Sequence, residues 1–177
     1  FCEELVLNCK RKNRRIIFVT TNGNFEVELF GETNPLTVAN FIKNIEEGIY
    51  LNKKFYKFID LPNTRFVHSG IYPVKDLYFE NKNFSENINK FIPLEISMIN
   101  KNDPTYKIQI NDPKRLISLR HKFENGSIAM VKVGSEYSSS TEFFFTLGNS
   151  PELDGRYSIF GKVLDGNTGL NDSALTP

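Results

Sequence analysis

Hydrophobic and polar residues alternate near the start of the chain as they do in two paired strands. Residues 16–20 and 25–30 are mostly apolar, and in the second run the apolar residues alternate with two glutamates. Asn22 and Gly23 lie between the runs and tolerate the positive φ values of a tight hairpin turn. The pattern therefore predicts an antiparallel hairpin with one buried face.

After residue 33 the spacing of apolar residues changes to that of a helix. Asn34 is a residue type that caps helices, and Pro35 suits the first turn because its missing N–H costs nothing there. Gly48 provides a C-terminal stop. The apolar positions at helical spacing are Val38, Phe41, Ile42 and Ile45. These features predict one amphipathic helix that begins at Pro35.

The middle of the chain is less regular. Apolar side chains are frequent at 55–59, 66–73 and 92–96, whereas residues 81–90, rich in Asn and Lys with little apolar periodicity, predict a surface loop.

Residues 126–161 join four features in a fixed order. A strand of small residues at 127–133 is followed by a polar, serine-rich loop and then by an aromatic strand that contains Phe143 and Phe144. A Leu-Asp-Gly-Arg-Tyr turn then enters another strand. Because side chains alternate along a strand, Phe143 and Phe144 are expected on opposite faces.

In order and spacing these elements resemble the cyclophilins, the β-barrel family of peptidyl-prolyl isomerases. Two regions carry the resemblance: the hairpin followed by PLTVANFIKNIEEGIY, and residues 126–161. The resemblance implies a mainly β fold, a closed eight-stranded antiparallel barrel capped by two α-helices. The helix from Pro35 is one cap, and the second is expected within an insertion at about 97–118 or near residues 150–156.

The expected organisation is one domain between two short tails. A basic N-terminal tail covers residues 1–15, the cyclophilin-like domain covers 16–164, and a C-terminal tail covers 165–177. A chain of 177 residues is long enough for one domain to bury about two thirds of its unfolded surface.

The resemblance implies peptidyl-prolyl cis-trans isomerisation in protein folding. Rotation about an Xaa-Pro bond faces a barrier of about 18–20 kcal/mol because the amide has partial double-bond character. A catalyst needs no cofactor and no covalent step. It needs an apolar slot for the proline ring, here called the proline slot, and a donor aimed at the proline nitrogen as the amide twists. The expected partner is a proline-containing peptide or protein client.

The resemblance places substrate-binding residues at eight positions. They are Phe66, Val67, Ser69, Val131, Glu142, Phe144, Leu153 and Tyr157. Those that fall on the ring-binding positions are Phe66, Val67, Phe144 and Leu153. The alternative is that these apolar residues are ordinary core, since phenylalanine on a strand is usually buried.

The polar half of the predicted site departs from the family pattern. Lys57, the predicted catalytic residue, lies where the family has arginine, and Ser69 and Glu142 lie where it has glutamine. Lysine is a mobile point charge, whereas arginine presents a planar fork of donors, so looser geometry and weakened catalysis are expected. Arg65 is either a substitute donor or, as we favour, a solvated arginine in an enlarged turn.

Two functions of different classes follow. One is a peptidyl-prolyl cis-trans isomerase with Lys57 in place of the usual arginine. The other is a non-catalytic cyclophilin-like module, an assembly factor or accessory subunit of a larger complex such as one of the photosynthetic membrane. The changes at Lys57, Ser69 and Glu142 favour the second function, and the retained apolar slot favours the first or a retained peptide-binding role.

Charge and composition exclude several other classes of function. The 22 basic and 21 acidic residues nearly balance, which argues against a dedicated nucleic-acid binder. There is no run of about 18 apolar residues, so no membrane span is expected. The basic run at 9–15 is interpreted as a solvated lead-in to the first strand, with contact to an acidic membrane surface or partner as the alternative.

The few histidines and cysteines do not predict a metal site. His68 and His121 have no cysteine or acidic cluster at metal-ligand spacing, so no metal is expected. Cys2 and Cys9 could pair, but we favour free thiols. The cellular compartment is predicted only by the sequence Ile-Pro-Leu-Glu-Ile at 92–96. This sequence is similar to one in the cyclophilins of cyanobacteria and the plastid lumen, and it points to a location at the thylakoid.

Overall fold

The computed structural model describes residues 1–71, 91–164 and 170. Tyr72, the predicted loop at 81–90 and most of the predicted tail at 165–177 lie outside these residues.

The predicted hairpin forms at the start of the sheet. Strand β1 (Arg14–Thr20) pairs with β2 (Gly23–Leu29) in antiparallel register, with Thr20 opposite Gly23. Gly23 has a φ of 125°, a conformation that favours glycine. Alternate residues of β2, namely Phe25, Val27 and Leu29, are buried in the main core. The alternation read from the sequence therefore does separate an inner from an outer face.

Helix α1 (Pro35–Glu46) packs its apolar side onto the core through Leu36, Val38 and Phe41. It begins and ends as predicted, with proline in its first turn and Gly48 at a φ of 73° after its end. One expectation is wrong: Asn34 stands at the N-cap position, but its side chain makes no capping hydrogen bond.

The remaining elements complete two sheets. They are β3 (Lys57–Leu61), β4 (Thr64–Ser69), β5 (Phe91–Pro93), β6 (Glu95–Ile96), β7 (Thr105–Tyr106), α2 (Pro113–Leu116), β8 (Ser127–Val133), β9 (Tyr137–Thr146), a 3-10 turn (Pro151–Leu153) and β10 (Ile159–Val163). The main antiparallel sheet has the order β1-β2-β10-β8-β9-β4-β3, and β5 pairs with β9. Strands β6 and β7 form a separate pair.

Within the described residues this arrangement confirms a mainly β fold, with eight antiparallel strands in one sheet and the helices α1 and α2. The second helix, α2, lies in the predicted insertion and is only four residues long. Among the described strands no hydrogen-bonded pair joins β1 to β3, and closure of the barrel stays a prediction.

A groove of about 340 Å³ lies between β1 and the chain around residues 50–55.

The serine-rich segment was predicted as a polar loop, and that prediction is wrong. Residues 138–141 belong to β9 and are completely buried. The carbonyl of Ser140 accepts hydrogen bonds from the Asn40 and Asn44 side chains of α1, each at 2.7 Å, and the Ser139 hydroxyl accepts from the N–H groups of Thr141 and Glu142. Serine can lie in a core when such partners are present, and here the partners also attach α1 to β9.

Glu95 caps helix α1 from a different part of the chain. Its side chain is fully buried, and one carboxylate oxygen accepts from the Leu36 N–H at 3.1 Å and from the Tyr106 hydroxyl at 3.1 Å. The other oxygen accepts from the N–H and the hydroxyl of Thr37, at 2.8 and 2.6 Å. Burial raises the pKa of the Glu95 carboxyl, and these four donors oppose the rise. A carboxylate at a helix N-terminus also interacts favourably with the helix dipole.

The N-terminal residues form a closed loop that packs on the insertion. Cys2 and Cys9 are joined by a disulfide with their Cα atoms 6.0 Å apart, so the expectation of free thiols is wrong. The ring of Phe1 contacts the ring of Tyr106 edge-on, and Arg11 pairs with Asp103 of the insertion. Spacing of seven residues alone could not distinguish a disulfide from two thiols, because the decision depends on where this loop packs.

His121 is half-buried against the segment that joins β2 to α1. Its imidazole stacks on the ring of Phe30 with centroids 4.2 Å apart, and its Nε2 lies 2.7 Å from the Thr33 hydroxyl. Burial, and to a lesser degree the charge of Arg120, lower the pKa of His121 to about 4. The folded protein therefore keeps this ring neutral at pH values where an unfolded chain would protonate it.

We predict that Glu95→Gln lowers the free energy of unfolding by about 2–4 kcal/mol. Either orientation of the glutamine amide places its NH₂ group against a backbone N–H, that of Leu36 or that of Thr37. Urea denaturation measures the effect. The control is Glu46→Gln at the exposed C-terminal end of α1, expected within about 0.5 kcal/mol of the native chain. Equal stability of the two variants would contradict the capping role.

We also predict that acid destabilises the protein through His121. Because the pKa is about 4 in the folded chain and 6.5 as a reference value, the neutral ring stabilises the fold fully above pH 6.5. This contribution decreases as the pH falls from 6.5 towards 4, by up to about 2 kcal/mol between pH 7 and pH 5. His121→Gln, which keeps a partner for Thr33, should lower stability at pH 7 but flatten its change with pH. Parallel urea titrations at both pH values test this, and an unchanged pH difference would rule it out.

Candidate functional site

A cluster of aromatic side chains lies on one face of the main sheet. Strands β4 and β9 pair with His68 opposite Phe144, and Phe66 lies two residues before His68 on the same face. Phe143 points to the other side and packs in the main core, as predicted, while Phe144 belongs to this second cluster. The alternation of strand side chains thus separates core from candidate site.

Phe144 lies at the centre of the cluster and is almost completely covered, with 2% of its surface exposed. The imidazole of His68 and the ring of Phe123 both lie nearly parallel to it, with centroids 5.6 and 5.7 Å away. Phe66 is 5.4 Å away, and Tyr157 contacts it edge-on at 5.3 Å. The face that would receive a proline ring is therefore already in contact with other rings.

A hydrogen-bonded group holds the imidazole of His68 in this position. Its Nδ1 lies 3.2 Å from Oε1 of Glu142, and the Tyr56 hydroxyl donates to the same oxygen at 2.5 Å. The His68 and Glu142 side chains are only 10% and 8% exposed. We call this arrangement of Tyr56, Glu142 and His68 the histidine clamp. Hydrogen bonds to a carboxylate in such a buried place are stronger than those between neutral groups.

The local structure of β9 brings Glu142 to His68. The register between β8 and β9 shifts after Met130, and Ser139 in the irregular part of β9 accepts a hydrogen bond from the Glu142 N–H at 3.0 Å. Gly70, directly after β4, has a φ of 99°, and a Cβ there would collide with the Thr141 carbonyl oxygen. A bulged strand and a glycine thus allow the two strands to approach closely beside the site.

Lys57, the predicted catalytic residue, begins β3 and is exposed. It is paired with His68 in the β3–β4 register, so its Cβ is on the same face as His68 and Phe66. Glu142 forms its described contacts with Tyr56 and His68, and an ion pair with Lys57 is absent from the described residues. The amine of Lys57 therefore stands at the solvent side of the cluster.

The structure brings five of the nine predicted site residues into the aromatic cluster. They are Phe66, Val131, Phe144, Leu153 and Tyr157. Glu142 and Lys57 adjoin it. Burial raises the pKa of the Tyr157 phenol, and the Lys132 amine lies 5.6 Å from the centre of its ring.

Two predicted residues lie on the other side of the sheet. Val67 is buried in the main core, and Ser69 donates to the Lys54 carbonyl at 3.1 Å beside the groove next to β1. Arg65 pairs with Asp60 at 3.0 Å and is half exposed, in agreement with the favoured interpretation of a surface arginine.

Sequence reasoning missed three members of the site: Tyr56, His68 and Phe123. Strand alternation could have identified His68, since it lies two residues after Phe66 on the same face and opposite Phe144. Phe123 lies in no strand, and its N–H is held by the Asp154 side chain at 2.7 Å, a contact that no periodic pattern predicts.

Two classes of site are not seen in the described part of the chain. It contains no group of three or more histidine, cysteine, aspartate or glutamate side chains that could hold a metal ion. Over the same residues, none of the helices has the length and apolar character needed to cross a bilayer. The candidate site is the aromatic cluster together with the polar residues beside it, Tyr56, Lys57 and Glu142.

Comparison with known proteins gives consistent matches. Residues 15–173 match the family described as cyclophilin type peptidyl-prolyl cis-trans isomerase. The peptidyl-prolyl isomerase cwc-27 of Neurospora crassa is 30% identical over 153 residues, which are 83% of this chain and 27% of that protein. The peptidyl-prolyl cis-trans isomerase-like 3 protein of Rhizopus delemar is 26% identical over 156 residues, 83% of this chain and 73% of that protein.

A solved structure supports the fold independently. The cyclophilin type peptidyl-prolyl cis-trans isomerase of Cryptosporidium parvum superposes with a TM-score of 0.62 at 22% identity, covering 94% of this chain and 86% of the other. The chain spans about a quarter of the length of the Neurospora relative. The family match over residues 15–173 and the shared fold show that this chain belongs to the cyclophilin-type peptidyl-prolyl cis-trans isomerase family.

Proposed function

We propose that this domain binds proline-containing segments of a protein partner and isomerises the Xaa-Pro bond only slowly. The residues that would act are Lys57 as donor, with Phe66, Phe144, Leu153 and Tyr157 as the walls of the proline slot. The substitutions at Ser69 and Glu142 remove the amide groups that the family pattern has at those positions.

The covered ring of Phe144 is the observation that carries this proposal. A slot that accepts proline readily needs an accessible apolar surface, yet Phe144 is 2% exposed and contacts His68, Phe123 and Tyr157. A peptide must displace a neighbouring ring before its proline can contact Phe144. That displacement reduces the binding free energy available for stabilising the twisted amide.

The exposed position of Lys57 supports slow isomerisation as well. A flexible, hydrated ammonium group must give up its water and its rotamer freedom to donate to the proline nitrogen. An arginine at the same strand position would offer a planar set of donors with fewer arrangements to lose. A loss of a few kcal/mol in the transition state removes two or more factors of ten in rate.

A second candidate function is that of a binding module within a larger assembly. The chain matches about a quarter of the Neurospora relative, so in that protein the cyclophilin-type region is accompanied by other sequence. A weak peptide site becomes effective when it is attached to a partner, because attachment raises its local concentration. The thylakoid location and a photosynthetic partner remain predictions from residues 92–96 alone.

We predict that Lys57→Arg raises the isomerisation rate at least tenfold over the native chain. NMR exchange spectroscopy on an N-acetylated Ala-Ala-Pro-Phe peptide measures this, because uncatalysed exchange takes about 10–100 s and weak acceleration is detectable. The control is Lys54→Arg, an exposed lysine on the neighbouring segment, for which no change is expected.

Two results would overturn the proposal. Native protein that exchanges the peptide as fast as Lys57→Arg would show that lysine is an adequate donor and that catalysis is not weakened. A Phe144→Ala variant that remains folded by circular dichroism and binds the peptide as well as the native chain would show that the proline slot is elsewhere.

A further inference from the structure

Of the two rings that lie nearly parallel to Phe144, His68 is the more exposed, at 8%. Phe123, the other ring parallel to Phe144, is 2% exposed and has its backbone fixed by Asp154. Lys57, which is exposed, lies opposite His68 in the strand register, so His68 is on the side of the cluster that is nearer to solvent. Displacement of its side chain would therefore open Phe144 towards solvent without unpacking the core.

The imidazole has a size that suits the place of a ligand ring. Imidazole and the proline pyrrolidine are both five-membered rings, and His68 lies nearly parallel to Phe144 at 5.6 Å. Phe66 contacts the same imidazole at 5.2 Å. The histidine thus occupies, from within the chain, an aromatic surface that an incoming proline ring would use.

The histidine clamp gives this closed position its stability. Glu142 is anchored on its backbone by Ser139 and on its side chain by Tyr56, and its Oε1 is shared with His68. These contacts join side chains 74 and 86 residues apart in the sequence. A carboxylate with two donors on one oxygen fixes the imidazole more firmly than stacking alone.

We propose that His68 is a specificity-determining residue that closes the proline slot, and that Glu142 and Tyr56 are positioning residues that hold it closed. The inference rests on the proposed function, since it identifies what limits peptide binding at the same site. Peptides that bind must present a proline ring able to displace the imidazole from Phe144. The free energy of that displacement weakens peptide binding, and the lower occupancy of the site reduces isomerisation in turn.

The experiment compares the native chain with His68→Ala by NMR titration and exchange spectroscopy, using the N-acetylated Ala-Ala-Pro-Phe peptide. Removal of the imidazole uncovers Phe144, and we expect the Kd to fall at least tenfold with a parallel rise in exchange rate. A gain of binding cannot arise from unfolding, so loss of stability does not imitate the expected result. Thermal unfolding of each variant confirms that it is folded at the temperature used.

Two matched variants separate the effect of the ring that covers Phe144 from the effect of the hydrogen bonds that hold His68 in place. His68→Phe keeps a ring on Phe144 without a hydrogen bond to Glu142, and we expect binding as weak as in the native chain. Tyr56→Phe keeps the Tyr56 ring and removes its hydroxyl, and we expect a two- to fivefold gain in affinity because Glu142 holds His68 less firmly. A merely structural role of Tyr56 would lower the melting temperature without any gain.

The outcomes distinguish this inference from the proposed function. Equal affinity of the native chain and His68→Ala would overturn closure by His68 while leaving peptide binding at the site intact. A gain in His68→Phe as large as that in His68→Ala would also overturn it, since cover would then be irrelevant. If no variant binds the peptide, the proposed function fails and this inference fails with it.

Discussion

The buried carboxylate of Glu95 is the interaction on which most of the structure depends. Four donors from α1 and from Tyr106 converge on this carboxylate, and the backbone N–H of Glu95 donates to the hydroxyl of Ser158 beside β10. The contact fixes the start of α1, and the asparagines of that helix in turn bind the carbonyl of Ser140 in β9. Because Ser140 precedes Glu142 in the irregular part of β9, the capping group and the candidate site belong to one continuous network. A buried carboxyl group left without its hydrogen-bond donors would cost a large desolvation free energy, so loss of these contacts would destabilise the fold.

Periodicity identified the elements that depend on local spacing. The hairpin, the helix from Pro35 and the opposite directions of Phe143 and Phe144 all follow from alternation or from a helical repeat, and the structure confirms them. Two of the errors involve polar residues whose partners lie far away in the sequence. Asn34 has the right type for a cap, but Glu95 supplies the cap from another segment, and the carbonyl of buried Ser140 in β9 finds its partners in the asparagines of α1. Hydrogen-bond partners at that distance cannot be inferred from residue type or spacing.

The candidate site was also predictable only in part, because its residue positions followed from a pattern but their contacts did not. Resemblance to a family could indicate which residues form the candidate site, and five of them do meet in one cluster. It could not indicate that Phe144 is covered, because one of the covering rings belongs to His68, which lies between two predicted residues and contacts Glu142. The role of a carboxylate in place of an amide at residue 142 can be understood only from its contacts with Tyr56 and His68. A glutamate that looks like a damaged binding residue in the sequence is an organised hydrogen-bond acceptor in the fold.

The position of the cap along the chain has a consequence for folding. Leu36 and Glu95 are 59 residues apart, and β2 pairs with β10 near the far end of the domain. At a synthesis rate of about 5–20 residues per second, α1 would wait roughly 3–12 s for its capping carboxylate to be made. An isolated helix of 12 residues is marginal in water, so α1 has little stability of its own during that time. The N-terminal hairpin and α1 therefore remain incomplete until almost the whole domain has left the ribosome, and the final assembly of the sheet is a late, cooperative event.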